Sequence, residues 1–245
     1  MISRYAGGER GARSAARAGS VLVVVDAFRA STTISLLVSR GARVVPVASI
    51  REAAGTPADL RIGERGSAKV AGFDFGNSPT EISAAHLPAG ATAAMSTTNG
   101  TRVVEAGRGA AAIYTGAFVN AGRLASQLYD RFPDSEVVVV GCGWEGRRAS
   151  EDESAAGAIL HRLELLGSEP DRRARLVTER YLRRPSSALR SNSASRRLLR
   201  LGQRDDIELC LREDAIPAAP RLLGEAFTEE PERLGTFPDD IPYSE

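Results

Sequence analysis

Cysteine, histidine and long apolar runs are scarce in this sequence, and each scarcity excludes a class of protein. The 245 residues include two cysteines and two histidines. Cys142 and Cys210 are too few for a disulfide framework, which indicates a reducing, cytoplasmic setting. His86 and His161 lie far apart, so the ligand spacing of a zinc site is missing. No stretch approaches the roughly 18 consecutive apolar residues of a membrane span, so we expect no membrane partner.

An excess of charge is also lacking. The chain carries 32 basic and 31 acidic residues, a formal net charge of +1. Without a surplus of positive charge there is no field to attract DNA or RNA, so we expect no nucleic-acid partner. Lys69 is the only lysine. The other basic residues are arginines, whose guanidinium groups can bind an oxyanion through two N–H groups. This preference is a reason to look for a small-anion site.

Short apolar runs alternate with amphipathic segments, which predicts an α/β fold with a largely parallel sheet and flanking helices. Residues 21–25 are continuous, apolar and mostly β-branched, as in a strand buried on both faces. The other predicted strands are residues 43–47, 60–63, 92–96, 111–114 and 136–140. The predicted helices are residues 31–39, 101–107, 119–132, 151–166, 172–183, 186–201 and 205–212.

Three regions are predicted along the chain. Residues 21–217 form the α/β domain, with two related subdomains around one cleft as a possible arrangement. Residues 1–20 have four arginines and no apolar run, so we interpret them as a poorly ordered or peripheral lead-in. Residues 218–245 are rich in proline and glutamate and are predicted to form a surface tail. The sequence carries no signal for the oligomeric state.

Ligands gather beyond the carboxyl ends of the strands in parallel α/β sheets, so the loops at strand exits are the candidate site. The first loop has Asp26 at the end of a buried strand, followed by Arg29, Ser31 and Thr32 at a helix start. An aspartate in this position can bind a metal, while the arginine and the helix N-terminus favour an anion. The hydroxyls alone would also suit a helix cap.

Two further strand exits are rich in glycine and polar side chains. One runs through residues 63–66 to 72–79, and the other covers residues 96–102. Backbone N–H groups and hydroxyls in the second loop could form a phosphate nest, with a hairpin turn or plain surface loop as the alternative. The candidate residues of these two loops are Glu64, Arg65, Asp74, Asn77, Ser78, Thr97, Thr98, Asn99 and Arg102.

The fourth strand exit, residues 141–153, supports three interpretations. Glu151 and Asp152 suit Mg²⁺. The alternative is a structural role, because the helix dipole stabilises acidic residues in a first helical turn. The spacing of a dinucleotide fingerprint is also present, in Gly141, Gly143 and Gly146, and Glu164 lies near the expected position of the acid that binds the ribose. The acidic residues next to these glycines, however, would repel a pyrophosphate. Residues 142 and 148 have the Cys-x5-Arg spacing of cysteine phosphatases. An acid lies inside that loop and no histidine precedes it, so a buried structural cysteine is favoured.

Taken together, these loops resemble the 2-phosphosulfolactate phosphatase family, a Mg²⁺-dependent group associated with coenzyme M biosynthesis. The matching stretches are residues 25–34, 63–65, 72–79, 97–101, 116–120, 151–152 with 156–157, and 191–217. The departures are Phe75 in place of a commoner leucine and Cys142 in place of a small residue. The second departure argues against a cysteine nucleophile, because the family does not depend on that thiol.

The resemblance implies an α/β fold in two related subdomains and hydrolysis of (R)-2-phospho-3-sulfolactate to 3-sulfolactate and phosphate. Asp26, Arg29 and Asp152 are the expected catalytic residues. The Mg²⁺ ligands are expected among Asp26, Glu64, Asp74, Glu151 and Asp152. Contacts to the small polyanionic substrate are expected from Ser31, Thr32, Arg65, Asn77, Ser78, Thr97, Thr98, Asn99 and Arg102.

Two alternative functions stay open. One is a related phosphatase with a different small phosphorylated hydroxy acid as its substrate, because substrates change more readily than folds. The other is a non-catalytic anion-binding or interaction protein, for which the arginine- and serine-rich residues 183–200 could offer an RNA surface. We favour a solvated helix for that stretch. Its inward side chains would be Leu189, Leu198, Leu199 and Leu201.

Overall fold

One mixed sheet runs through the protein, and helices cover both of its faces. The computed structural model describes residues 1–184 and 186–229. Within them the strands are β1 (Ile2–Gly7), β2 (Val21–Val25), β3 (Arg43–Pro46), β4 (Leu60–Arg65), β5 (Ala68–Lys69), β6 (Thr92–Ser96), β7 (Ala112–Thr115), β8 (Glu136–Gly141), β9 (Glu169–Pro170), β10 (Pro220–Leu223) and β11 (Ala226–Glu229). The strand order is β5-β4-β6-β3-β11-β10-β7-β2-β8-β1-β9. The predicted α/β class with a largely parallel sheet is confirmed.

The helices connect the parallel strands. They are α1 (Gly8–Arg17), α2 (Ala30–Ser39), α3 (Ile50–Gly55), α4 (Pro79–Ala84), α5 (Gly100–Ala106), α6 (Ala121–Arg131), α7 (Ser150–Leu165), α8 (Arg172–Arg183), α9 (Ser186–Leu189), α10 (Ser193–Arg200) and α11 (Arg204–Cys210). A 3-10 turn, Phe118–Asn120, precedes α6. None of the helices in residues 1–184 and 186–229 has the length and apolar character of a membrane span.

The side chains of β2 alternate between two hydrophobic cores. Val21, Val23 and Val25 belong to the core on one face of the sheet. Leu22 and Val24 belong to the core on the other face. Both faces are covered because successive side chains of a strand point to opposite sides and both sets are apolar. Because β2 is buried on both faces, its end at Val25 has a well-defined position, and Asp26 is the next residue.

The sheet has two parallel blocks with an antiparallel hairpin between them. The first block is β4-β6-β3, and the second is β7-β2-β8-β1-β9. The hairpin β10–β11 contacts one block through the pair Phe227–Val44 and the other through Arg221–Tyr114. The sheet is continuous through this hairpin, and the two subdomains that we expected are not shown.

Both ends of the described chain enter the sheet, in contrast to the predicted peripheral lead-in and surface tail. In β1 every second side chain is buried, including Ser3 and Tyr5, and this alternation involves too few apolar residues to stand out in the sequence. Residues 220–229 form the central hairpin, in which Phe227 is fully buried. The two strands of this hairpin are only four residues long and are joined by the two-residue turn Gly224–Glu225, so they do not stand out in a segment rich in proline and glutamate. Of the expected tail, residues 230–245 lie outside the described residues.

The predicted helix 186–201 is instead two short helices. Asn192 separates them and caps α10 by accepting a hydrogen bond from the Ser195 amide at 2.8 Å. Leu198 is buried as expected, but Leu199 and Leu201 are exposed, so the predicted inward face is wrong for these two residues. The break at Asn192 interrupts the periodicity of a single helix. Another side chain of α10, Arg197, faces the cleft described next.

Candidate active site

A narrow cleft at the carboxyl edge of the sheet brings together the loops after β2, β4, β6 and β8 with the start of α7. Its charged and amide side chains are Asp26, Arg29, Glu64, Asn77, Asn99, Glu151, Asp152 and Arg197. The cleft is partly open to solvent, and the centres of water-sized molecules can occupy about 20 Å³ of it. Three of the four strand exits chosen from the sequence therefore supply carboxylates to one place, and the remaining one, residues 96–102, supplies Asn99.

Asp26 heads a tightly bonded turn. Its amide donates to Ser31 Oγ at 2.8 Å, and its carbonyl accepts from the Ser31 amide at 2.8 Å. Thr32 Oγ1 donates to the carbonyl of Ala27 at 3.1 Å. Ser31 and Thr32 are buried and hold the backbone of this turn, so the structure does not place them as the expected substrate contacts. Their role is to fix the position of the aspartate.

Glu64 joins the loops after β4 and β6. Its Oε1 accepts hydrogen bonds from the amide and the hydroxyl of Thr98, at 2.6 and 2.7 Å. Its Oε2 accepts from the Ser67 amide at 2.7 Å. The carboxylate is thereby held in the cleft, while the Thr98 hydroxyl, an expected substrate contact, is already bonded to protein.

The two acids at the start of α7 have different partners. Asp152 Oδ1 accepts from the Ala27 amide and Oδ2 from the Gly143 amide, both at 2.8 Å. This side chain therefore joins the loops that follow β2 and β8. Glu151 Oε2 accepts from Asn192 Nδ2 at 2.7 Å, which ties the helix start to the residue that caps α10.

Burial and mutual repulsion raise the pKa values of these carboxyl groups. Burial, followed by repulsion from Glu64, raises the pKa of Asp26 from 3.8 to about 7. Burial, followed by repulsion from Asp26 and Glu151, raises the pKa of Asp152 well above its usual value. The pKa of Glu151 is also raised, mainly by burial. The cleft thus favours protons or a cation near these oxygens.

Arg29 is buried and its guanidinium is used by the protein itself. Nη1 donates to Asp206 Oδ2 at 2.5 Å and to Gln203 Oε1 at 2.8 Å, and Nη2 donates to the carbonyl of Ser67 at 2.9 Å. Asp206 also accepts from Ser78 Oγ at 2.8 Å. Sequence reasoning did not identify Asp206 as a site residue, because its partner lies 177 positions away.

Arg197 and Trp144 form the part of the cleft that sequence reasoning missed. The Arg197 guanidinium lies over the indole ring, 3.8 Å from its centroid. Trp144 stands at the base of a two-residue turn with reciprocal backbone hydrogen bonds to Arg147 of 2.8 and 2.9 Å. Glu145 and Gly146 adopt positive φ values of 48° and 75° in this turn. The available signal was the match of residues 191–217 to the family, which did not single out one arginine.

Several residues expected at the site lie elsewhere. Asp74 is exposed and accepts from the Arg61 amide at 2.7 Å, so it attaches its loop to β4 rather than joining the other acids. Arg65 donates to the carbonyl of Glu64 and to Ser96 Oγ. The Arg102 side chain is 66% exposed and pairs with Glu9. Thr97 Oγ1 accepts from the Thr101 amide at 3.4 Å, and Ser78 caps α4 by accepting from the Glu81 amide.

The alternative interpretations of residues 141–153 find no support in the geometry. Cys142 is buried, and burial together with Asp26 raises the pKa of its thiol, so it is not a ready thiolate. Arg148, the arginine of the Cys-x5-Arg spacing, pairs with Glu153. The third glycine, Gly146, lies inside the Trp144–Arg147 turn, and α7 begins only at Ser150. Because the helix starts late, the glycine loop does not present a helix N-terminus as a dinucleotide site requires.

Asn77 brings an unsatisfied polar atom to the cleft. The side chain is 4% exposed, and its Oδ1 is buried without a hydrogen-bond partner. A buried amide oxygen of this kind costs free energy unless a ligand satisfies it. Within the described ranges, no three histidine, cysteine or carboxylate side chains form a set that could hold a metal unaided.

Comparisons with known proteins agree with the motif resemblance. The model of a family described as 2-phosphosulpholactate phosphatase matches residues 9–224. A protein of Gloeobacter violaceus named "Probable 2-phosphosulfolactate phosphatase" is 39% identical over 206 residues, covering 81% of this chain and 86% of that protein. A protein of the same name from Parasynechococcus marenigrum is 37% identical over 212 residues, covering 81% of this chain and 87% of that protein.

Proposed function

Because the chain belongs to the 2-phosphosulfolactate phosphatase family, we propose that it hydrolyses (R)-2-phospho-3-sulfolactate to 3-sulfolactate and inorganic phosphate with the help of Mg²⁺. The observation that supports this proposal is the meeting of four carboxylates in one cleft, at the point where the family's motif loops converge. A cleft so rich in buried acid is poorly suited to a phosphate ester on its own, because like charges repel. A divalent cation between the acids and the ester would remove that conflict.

The donor set of the cleft fits Mg²⁺. This ion takes oxygen ligands and commonly uses only one or two carboxylates, with waters and substrate phosphate completing its shell. A set of three protein ligands is therefore not needed. Glu64 and Asp152 each use both carboxylate oxygens to join two loops, so their main role is structural.

We assign the ion to Asp26 and Glu151. Among the described residues, the Asp26 carboxylate accepts only from the backbone of Ala30 and Gly100. The side-chain partners of Glu151 all contact its Oε2. The unpartnered Oδ1 of Asn77 is a further oxygen in the same cleft.

Bound at these residues, Mg²⁺ would offset the charge of the phosphoryl oxygens during displacement by water. The protein's own residues would hold the reacting groups in place. Asp152 fixes the loops after β2 and β8 through the Ala27 and Gly143 amides, and Glu64 fixes the loop after β6 through Thr98. Such prior fixation lowers the barrier, because positioning and electrostatic stabilisation dominate the catalysis of phosphoryl transfer.

Phosphate release from purified protein tests the proposal. The substrates are (R)-2-phospho-3-sulfolactate, 2-phospholactate and phosphoglycolate, each with Mg²⁺, with EDTA, and with Mg²⁺ restored after EDTA. We expect the sulfonated substrate to have the highest kcat/KM, EDTA to abolish its turnover and Mg²⁺ to restore it. An unchanged rate in EDTA would contradict the metal assignment, and a faster reaction of another ester would contradict the substrate assignment.

A pair of aspartates provides a matched control. Asp26→Asn removes a proposed ligand from the cleft, whereas Asp74→Asn changes an exposed aspartate of the neighbouring motif. We expect the first variant to lower kcat by at least about 100-fold, since a metal contributes several kcal/mol to transition-state stabilisation. The second should stay close to wild type. Equal losses in both variants would refute the assignment of Asp26.

A further inference from the structure

The arginines near the cleft differ in how much of each guanidinium is left for a ligand. Arg29 donates through both Nη atoms to Asp206, Gln203 and Ser67. Arg197 also lines the cleft, but its Nε is buried without a hydrogen-bond partner. A buried N–H donor that lacks an acceptor costs free energy, and an anionic ligand would satisfy it. Arg197 is thus the arginine of the cleft with an unmet demand for an acceptor.

The contact of Arg197 with Trp144 holds the guanidinium over the indole ring, beside the acidic Glu151 and with Nε unpartnered. With the indole covering one face at 3.8 Å, the N–H groups point outward along the edges of the guanidinium. The turn that carries Trp144 is closed by two backbone hydrogen bonds, so the platform is held in place. A planar fork fixed in this way matches two oxygens of an oxyanion, which can accept two parallel N–H bonds.

We propose that Arg197 is the specificity-determining residue of the cleft and binds the sulfonate of the substrate through Nε–H and a neighbouring Nη–H. This inference rests on the proposed function. The phosphoryl group is assigned to the acidic part of the cleft with its cation. The carboxylate of the substrate is attached to the carbon that carries the phosphoester, so it stays beside the phosphoryl group. The sulfonate is one carbon further away and is the group that reaches a separate cationic residue.

Truncated substrates test the assignment. The ester 2-phospholactate lacks the sulfonate, and 2-sulfoethyl phosphate lacks the carboxylate. We expect Arg197→Gln to lower kcat/KM about 100-fold for the two sulfonated esters, the scale of a lost charge-assisted hydrogen-bond pair, and less than about 3-fold for 2-phospholactate. Arg197→Lys should recover only part of the loss, because an ammonium group has no planar fork. Where a truncated ester reacts too slowly to follow, its inhibition constant against the full substrate gives the same comparison.

Arg200→Gln is the matched control, since Arg200 is an exposed arginine on the same helix. It should leave all rates unchanged, and thermal unfolding should show that both glutamine variants are folded. Equal losses for Arg197→Gln on all three esters would overturn the inference, as would a loss confined to the carboxylated esters. A wild-type protein that hydrolyses none of the esters would instead contradict the proposed function.

Discussion

Replacement of Asp206 by asparagine should unfold the protein at a markedly lower temperature. Asp206 is fully buried, and its carboxylate accepts hydrogen bonds from Arg29, from Ser78 and from the amide and hydroxyl of Thr80. Arg29, its ionic partner, is only 2% exposed. The substitution keeps the shape of the side chain but leaves a buried guanidinium without a counter-charge.

The expected magnitude follows from this burial. Removal of one partner of a buried ion pair costs about 3–5 kcal/mol, because the other charge stays desolvated. Gln203 and the carbonyl of Ser67 still accept from Arg29, so we expect the lower end of that range. For a protein of this size, 1 kcal/mol corresponds to about 2–4 °C in Tm, so a loss of about 3 kcal/mol lowers Tm by about 6–12 °C.

Thermal unfolding followed by circular dichroism measures the effect, with Glu208→Gln as the control. Glu208 lies on the same helix and pairs with Arg190, but both side chains are more than 40% exposed. An exposed pair contributes less than about 1 kcal/mol, so this control should shift Tm by no more than about 4 °C. Arg29→Met combined with Asp206→Asn should lose less than the sum of the single variants. Equal shifts for Asp206→Asn and Glu208→Gln would refute the reasoning.

Three further predictions concern the cleft. In the folded protein Asp26 has a pKa of about 7, whereas in the unfolded chain its pKa is near the usual value of 3.8. The folded state therefore holds the proton more tightly, and the metal-free protein should have a higher Tm near pH 5 than near pH 8. Because Mg²⁺ competes with that proton, it should raise Tm more at the higher pH. An equal Mg²⁺ shift at both values would contradict this assignment. Cys142→Ala should keep kcat within about 3-fold of wild type, because a buried thiol with a raised pKa is no nucleophile. A complete loss of activity in a folded variant would instead support a cysteine nucleophile. Trp144 is the only tryptophan and lines the cleft, so binding of 3-sulfolactate with Mg²⁺ should change the intrinsic fluorescence. Trp144→Phe should abolish that fluorescence change. An unchanged fluorescence at concentrations where calorimetry detects binding would show that the ligand does not reach Trp144.

The sequence predicted the strand exits well because their strands are unmistakable. Five consecutive apolar residues from Val21 to Val25 have few structures other than a strand buried on both faces. The residue after such a strand must lie at the carboxyl edge of the sheet, which placed Asp26 correctly. The same logic failed for β1 and for the hairpin β10–β11, whose strands alternate or are short and contain proline and charge.

Side-chain partners across the chain could not be predicted in the same way. Arg29 was expected to be a catalytic residue, but its guanidinium is bound by Asp206, which lies on a helix near the other end of the described chain. Arg197 was placed in a solvated helix, because the break at Asn192 and the contact of α10 with the cleft leave no periodic signal in the sequence. Both outcomes depend on which segments meet in three dimensions, and hydrophobic patterning along one segment does not contain that information.

Under the proposed function, the negative charge of the cleft, and not the near-zero net charge of the chain, couples the binding of the substrate to that of Mg²⁺. Asp206 neutralises Arg29, so the buried carboxylates around Asp26 face Arg197 as the main remaining positive group. A substrate with three anionic groups would add to an excess of negative charge if it entered first. Its binding should therefore be coupled to that of Mg²⁺, each raising the affinity for the other by the same factor. A site of this kind needs few arginines, and their accessibility matters more than their number.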